Sequence, residues 1–116
     1  MRRVGEAMGE DWLRTDTEGA YTPAVNIHRT PYAGRNFEYY SEDGFLAGEL
    51  ANEEVIGMQE KGTICYIKHF VLNDQETNRI GICTFSNEQA IREIYLKAFE
   101  QAFVEGKTKG TMGSFN

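Results

Sequence analysis

A lysine and a histidine stand side by side at Lys68-His69, directly after the β-branched and aromatic run Thr63-Ile64-Cys65-Tyr66-Ile67. Just beyond, Asn73-Asp74-Gln75-Glu76-Thr77-Asn78-Arg79 gathers amides, carboxylates and a guanidinium. A buried strand that opens into such groups has the makings of an active-site rim. The ammonium brings compact positive charge and several donors, and the imidazole either donates or accepts. Successive side chains on a regular strand point to opposite faces. Lys68 and His69 therefore reach one ligand only if the backbone leaves regular strand geometry. An irregular turn is expected at 68–70, made by a strained conformation or by a non-proline cis bond.

Other chemistry is thinner. Asp74 and Glu76 look like a carboxylate pair, but the expected role is to organise their loop by binding backbone amides or Arg79. His28 and His69 lack a third ligand at metal spacing, so no zinc site and no cofactor are expected. Cys65 falls in the apolar strand and reads as a small core residue. With Cys83 in a different kind of segment, no disulfide framework is indicated. Asp43 reads as a helix cap rather than a catalytic group.

The elements that must position these groups follow from periodicity and breakers. Residues 2–17 read as a helix with Val4, Met8 and Trp12 on one face, ended by Gly19. Trp12 is expected in the core. Residues 21–27 read as a strand built on Ala24-Val25-Asn26-Ile27, and residues 28–43 as a long polar loop, a kind of segment that is usually functional. A helix from Asp43 to about Lys61 places Leu46, Leu50, Val55 and Met58 near one face, with Gly62 as its stop. The strand at 63–67 leads into a second long loop over 70–85. Ser86-Asn87-Glu88-Gln89 has the form of a capping box. The helix it opens carries Ile91, Ile94, Tyr95, Ala98, Phe99, Ala102 and Phe103 as an apolar stripe and ends at Gly106. Residues 111–115 read as a last strand.

Helix, strand, helix, strand, helix, strand implies an α/β fold with parallel strands and right-handed crossovers. Long polar loops follow the strands and short ones follow the helices. That asymmetry fits a (β/α) barrel, whose chemistry sits at the C-terminal ends of the strands. No glycine-rich phosphate loop follows any strand, which sets aside a dinucleotide fold. A closed barrel takes eight units and ~250 residues. Three parallel strands alternating with three helices in 116 residues are therefore expected to be part of a (β/α)8 barrel.

Composition narrows the class. The chain is 41% hydrophobic and 26% charged with a net charge of −6, as in a globular domain and against a nucleic-acid partner. No apolar run is long enough to span a membrane. Met1-Arg2-Arg3 has no apolar stretch behind it, so no signal peptide is read and the cytoplasm is favoured over secretion.

Val25-Asn26-Ile27-His28-Arg29-Thr30-Pro31 followed by Gly34-Arg35-Asn36-Phe37-Glu38-Tyr39-Tyr40-Ser41-Glu42-Asp43 closely resembles a strand-and-loop signature of family 3 glycoside hydrolases, the β-glucosidase group. Lys68-His69-Phe70 with Asn73 to Arg79 resembles that family's next signature. Arg92 to Glu100 and Met112-Gly113-Ser114-Phe115-Asn116 resemble the two after it. Val71-Leu72-Asn73-Asp74 follows the Lys-His-Phe run where the N-acetylglucosaminidase branch has Pro-Gly-His-Gly. The resemblance implies that Arg35, Lys68 and His69 bind hydroxyls of the terminal sugar and that Arg79 lines the same pocket. Phe115 takes a slot often held by tyrosine, without the phenolic hydrogen bond. Gly44 stands where proline is usual, and Gly113 where serine or threonine is common. For Arg29 the expectation is structural, an ion pair to Glu38, Glu42 or Asp43.

The resemblance further implies retaining hydrolysis of terminal β-D-glucosyl residues. In the family, the nucleophilic aspartate lies on a later barrel strand and the acid/base glutamate comes from a later domain. Neither motif occurs here, so residues 1–116 are expected to be an internal part of the N-terminal barrel domain, carrying the sugar-binding half of the site and inactive alone. The expected partners are a β-glucoside or oligosaccharide, the remainder of the barrel and a C-terminal domain. The competing reading is a non-catalytic remnant that binds sugar weakly or docks to a complementary barrel fragment.

Overall fold

The periodic apolar residues of the first segment form helix α1, Arg2–Arg14, in the computed structural model, which describes residues 1–116. α1 ends at Arg14 rather than at 17. The Thr15 hydroxyl donates to the carbonyls of Asp11 and Trp12, and Asp16 adopts φ 56° and turns the chain away. Met8 and Trp12 pack on Val55, Met58 and Cys65, so the cysteine is a core residue and the tryptophan lies partly buried against that core.

Strand β1 is short, Gly19–Ala20, rather than the longer strand expected over 21–27. Pro23 has no N–H to give to a ladder, and the chain rejoins the sheet only at an isolated bridge between Ala24 and Lys68. Strand β2, Ile64–Phe70, is central, with β1 on one side and β3, Gly110–Gly113, on the other. Both pairings are parallel: Gly19 faces Ile64, and Tyr66 faces Gly110. The register of β2 against β3 shifts between Ile67 and Phe70, where the irregular turn was expected.

Helix α2, Gly44–Glu60, is capped as expected by Asp43, whose carboxylate accepts from the Phe45 and Leu46 amides at 2.8 and 3.4 Å. Its buried face differs from the expected one. Val55 and Met58 are buried, but Leu46 is 47% exposed, and Ala47, Gly48, Ala51 and Gly57 are buried instead. The reason is close packing on both sides. A Cβ on Gly57 would strike the Arg2 carbonyl oxygen and approach the Glu6 nitrogen at 2.8 Å. A Cβ on Gly48 would strike the Gln101 side chain. At these two crossings only small residues fit on α2.

The last helical run is in pieces: α3, Glu88–Ala90, a π-helical turn, Ile91–Tyr95, and α4, Lys97–Val104. Its cap is Asn87, not the expected Ser86, with Oδ1 accepting from the Ala90 amide at 2.8 Å. Ala98, Phe99 and Ala102 of the stripe are buried, whereas Ile94 and Phe103 are about two-fifths exposed. The main core joins Val25 and Ile67 of the sheet layer to Ala47 and Ala51 of α2 and to Ala98, Phe99 and Ala102 of α4. The α/β alternation and three parallel strands are as expected, and the loops after β1, β2 and β3 gather at one end of the sheet.

Two glycines separate two constraints. Gly57→Ala should lower stability by about 1–3 kcal/mol, because backbone of α1 must give way. Gly62 has open space around it but φ 96°, so Gly62→Ala should cost about 1–2 kcal/mol from backbone conformation alone. Urea denaturation of both variants checks the pair. An unchanged midpoint for Gly57→Ala would mean that α1 and α2 do not touch as described.

Candidate functional site

β2 ends in the site. The Lys68–His69 peptide bond is cis, as is Phe70–Val71. Lys68 and His69 line the same cavity, of about 290 Å³, with Arg35, Arg79 and Phe115. All five residues named from the sequence thus meet at the C-terminal ends of the strands. Tyr21, Asn73 and Met112, which were not singled out, complete the wall. Arg35 comes from the loop after β1, Asn73 and Arg79 from the loop after β2, and Phe115 from beyond β3.

Three cations share this small space, and two carboxylates stand between them. Glu38 accepts from the Arg35 Nε and lies 3.0 Å from Lys68 Nζ. Glu76 lies 3.1 Å from Arg79 Nη1 and 3.7 Å from Arg35 Nη1. The sequence of groups is Lys68, Glu38, Arg35, Glu76, Arg79, alternating in charge. Burial alone would raise the pKa of Glu38, but Arg35 and Lys68 outweigh it and hold it below the usual carboxylate range. Burial opposes the charge of Arg35 as well, and Glu38 more than restores it. From the sequence Glu38 is only one candidate partner for Arg29. It occupies a three-residue helical turn, Asn36–Glu38, that points it back at Arg35.

That arrangement corrects the expectation for Arg29, which forms none of its proposed ion pairs. Glu38 is taken by Arg35 and Lys68, and Asp43 by the helix cap. Asp74 does organise its loop: Oδ1 accepts from the Ile27 amide at 3.3 Å, while burial raises its pKa. Tyr39 donates its hydroxyl proton to the Asn73 carbonyl at 2.9 Å.

His69 is 3% exposed. Burial, with Arg35 and Lys68 beside it, lowers its pKa to about 4, so the imidazole is neutral at pH 7. Asn26 holds it from behind, donating to the His69 carbonyl at 3.0 Å and accepting from the His69 amide at 2.8 Å. A signal for Asn26 lay in the sequence, as the one amide in an apolar run, since a buried amide must find partners. Arg79 places its guanidinium carbon 5.5 Å from the centre of the Phe115 ring, a cation–π distance. Such a rim can hold a small, polyhydroxylated, uncharged molecule by many donors and an aromatic side.

Known proteins share this chain's sequence and fold. β-Glucosidase A of Butyrivibrio fibrisolvens is 56% identical over 97 residues, which is 84% of this chain and 12% of that protein. Thermostable β-glucosidase B of Acetivibrio thermocellus is 39% identical over 100% of this chain and 15% of its own length. The structure of β-glucosidase 3B from Thermotoga neapolitana in complex with α-D-glucose superposes with a TM-score of 0.97 at 49% identity, covering 99% of this chain and 16% of that one. The chain therefore spans about one-eighth to one-sixth of the length of these relatives. It matches the model for the glycosyl hydrolase family 3 N-terminal domain over residues 1–116, and it belongs to that family.

Proposed function

We propose that residues 1–116 form one stretch of the (β/α) barrel of a retaining β-glucosidase and hold the terminal glucosyl residue of the substrate. The observation that carries the reading is the convergence of Arg35, Lys68, His69, Arg79 and Phe115 on one cavity. The similarity to β-glucosidases, one of them solved with glucose, supports the sugar. Arg35 offers a planar fork that can donate to neighbouring hydroxyls, and Lys68 offers donors as a point charge. Phe115 gives Arg79 a face to lie against and gives the sugar an apolar side.

Retaining hydrolysis needs two carboxyl groups about 5–5.5 Å apart, one attacking and one donating a proton. Glu38 and Glu76 are poor candidates for these roles. Each is engaged by two cations, and Glu38, held below the usual carboxylate range by Arg35 and Lys68 despite its burial, has no proton to give at neutral pH. Their work is to neutralise and aim the donors. The nucleophile and the acid/base then come from other segments of the enzyme, and β1 and β3 present sheet edges on which further strands can pair.

Isothermal titration of the 116-residue chain with glucose tests the reading. Lys68→Met keeps the stem and removes the charge, and should weaken binding by roughly tenfold or more, as for a charged hydrogen bond. Glucose that binds both forms equally would sink the role of Lys68. Because His69 has its pKa at about 4, affinity should be flat between pH 8 and pH 5 and fall only near pH 4. An inflection near the ordinary histidine value would show an imidazole that is not held as described. The isolated chain should not hydrolyse p-nitrophenyl β-glucoside, and stoichiometric turnover would overturn the assignment of the carboxylates. Glu38→Gln should lower stability by more than the ~1 kcal/mol of an exposed pair and less than the ~3–5 kcal/mol of a fully buried one.

A further inference from the structure

We infer that Asn26 is a positioning residue that keeps the proton of His69 on Nδ1, so that Nε2 faces the cavity as a hydrogen-bond acceptor. Asn26 is 3% exposed and bonds to both peptide groups of a single residue. Its Nδ2 donates to the His69 carbonyl at 3.0 Å, and its Oδ1 accepts from the His69 amide at 2.8 Å. Only one orientation of the amide satisfies both bonds. Turned over, it would set N–H against N–H and oxygen against oxygen. Oδ1 is thereby fixed in place, and His69 Nδ1 lies 3.3 Å from it. A bare nitrogen there would oppose two lone pairs, whereas an N–H donates to the oxygen.

A neutral imidazole carries one proton, so Nε2 is left with its lone pair. Nε2 makes no hydrogen bond within the chain. Nor is it among the sealed side-chain atoms without a partner, which are on Asn36, Asn52, Thr63 and Gln101. His69 lines the cavity, and with Nδ1 engaged by Asn26, Nε2 is the ring nitrogen left for that space.

The consequence is one of specificity, and it rests on the sugar reading for what fills the cavity. Arg35, Lys68 and Arg79 can only donate. They accept a hydroxyl, an ether or a carbonyl alike. An acceptor at Nε2 asks for a group with a hydrogen to give, which selects a free hydroxyl over its methyl ether or its fluorine replacement.

Long-range proton–nitrogen NMR of the labelled chain at pH 7 reads the tautomer directly, and glucose is the probe. The expected result is a protonated Nδ1 and a bare Nε2 in the free chain, with the Nε2 resonance moving on glucose addition. Asn26→Ala should populate the Nε2–H form and weaken glucose binding roughly tenfold, as for one hydrogen bond. Asn26→Asp keeps the acceptor and should retain Nδ1–H, which covers the case in which the alanine variant does not fold. A free chain with Nε2–H, or a tautomer indifferent to Asn26→Ala, overturns the inference. Glucose that perturbs Lys68 and Arg79 but not His69 Nε2 also overturns it and leaves the sugar reading standing. Glucose that perturbs none of the three removes the sugar reading itself.

Discussion

Like charges do not share a small cavity unless something opposite stands between them. Two unit charges a few ångströms apart repel by several kcal/mol, on the order of 4 at an effective dielectric near 20. Lys68, Arg35 and Arg79 crowd one pocket, and Glu38 and Glu76 are the groups that make this tolerable. The carboxylates also fix direction. An ammonium on a four-carbon stem and a guanidinium fork would otherwise wander toward solvent. Held by acceptors on one side, they turn their remaining donors to the other. The chemistry of the pocket is therefore set by residues that need not touch a ligand.

The scaffold beneath is built for closeness. Where α1 crosses α2 the two backbones meet at Gly5 and Gly57, and where α4 meets α2 a glycine accommodates Gln101. The helices can then press their small faces on a core of four alanines with one valine, one isoleucine and one phenylalanine. Strand β2 is the common support. It carries Ile67 into the core and, one and two residues later, Lys68 and His69 into the pocket. Small movements of the packed layer would be transmitted to the rim.

The legible parts of the sequence were those whose signal is local. Asp43 announced a helix cap by its type and place, and it is one. Lys68-His69 is different: taken alone, a cation and an imidazole at a strand end more often just meet solvent, and it is the whole set of family-like motifs that marks them as a rim. The illegible parts depend on partners far along the chain. Glu38 looked like one acid among several, and only the fold brings it to Lys68, thirty positions on. Asn26 lies inside an apolar run, and its partner, His69, is forty-three positions on, in β2. On α2 the size of a side chain is a poor mark of burial. Between three closely packed elements the mark is smallness, so Ala47 and Gly48 are inside and Leu46 is not. The strand expected over 21–27 is absent as such: β1 precedes it at Gly19–Ala20, and after Pro23 only Ala24 bridges to the sheet.

The two long loops are tied to each other in three ways. Arg35 of the first pairs with Glu76 of the second. The hydroxyl of Tyr39 donates to the Asn73 carbonyl, and the amide of Ile27 donates to Asp74. Segments linked in this manner open as one cooperative unit rather than separately. Changes of length or sequence in either loop are then felt by both, and the region should drift through evolution as a pair of matched halves. The stretch after Arg79, which holds the exposed Ile80, Cys83 and Phe85, lies outside these ties. It is fastened instead to the segment beyond β3, where the Asn116 side-chain amide donates to the Thr84 hydroxyl at 3.2 Å.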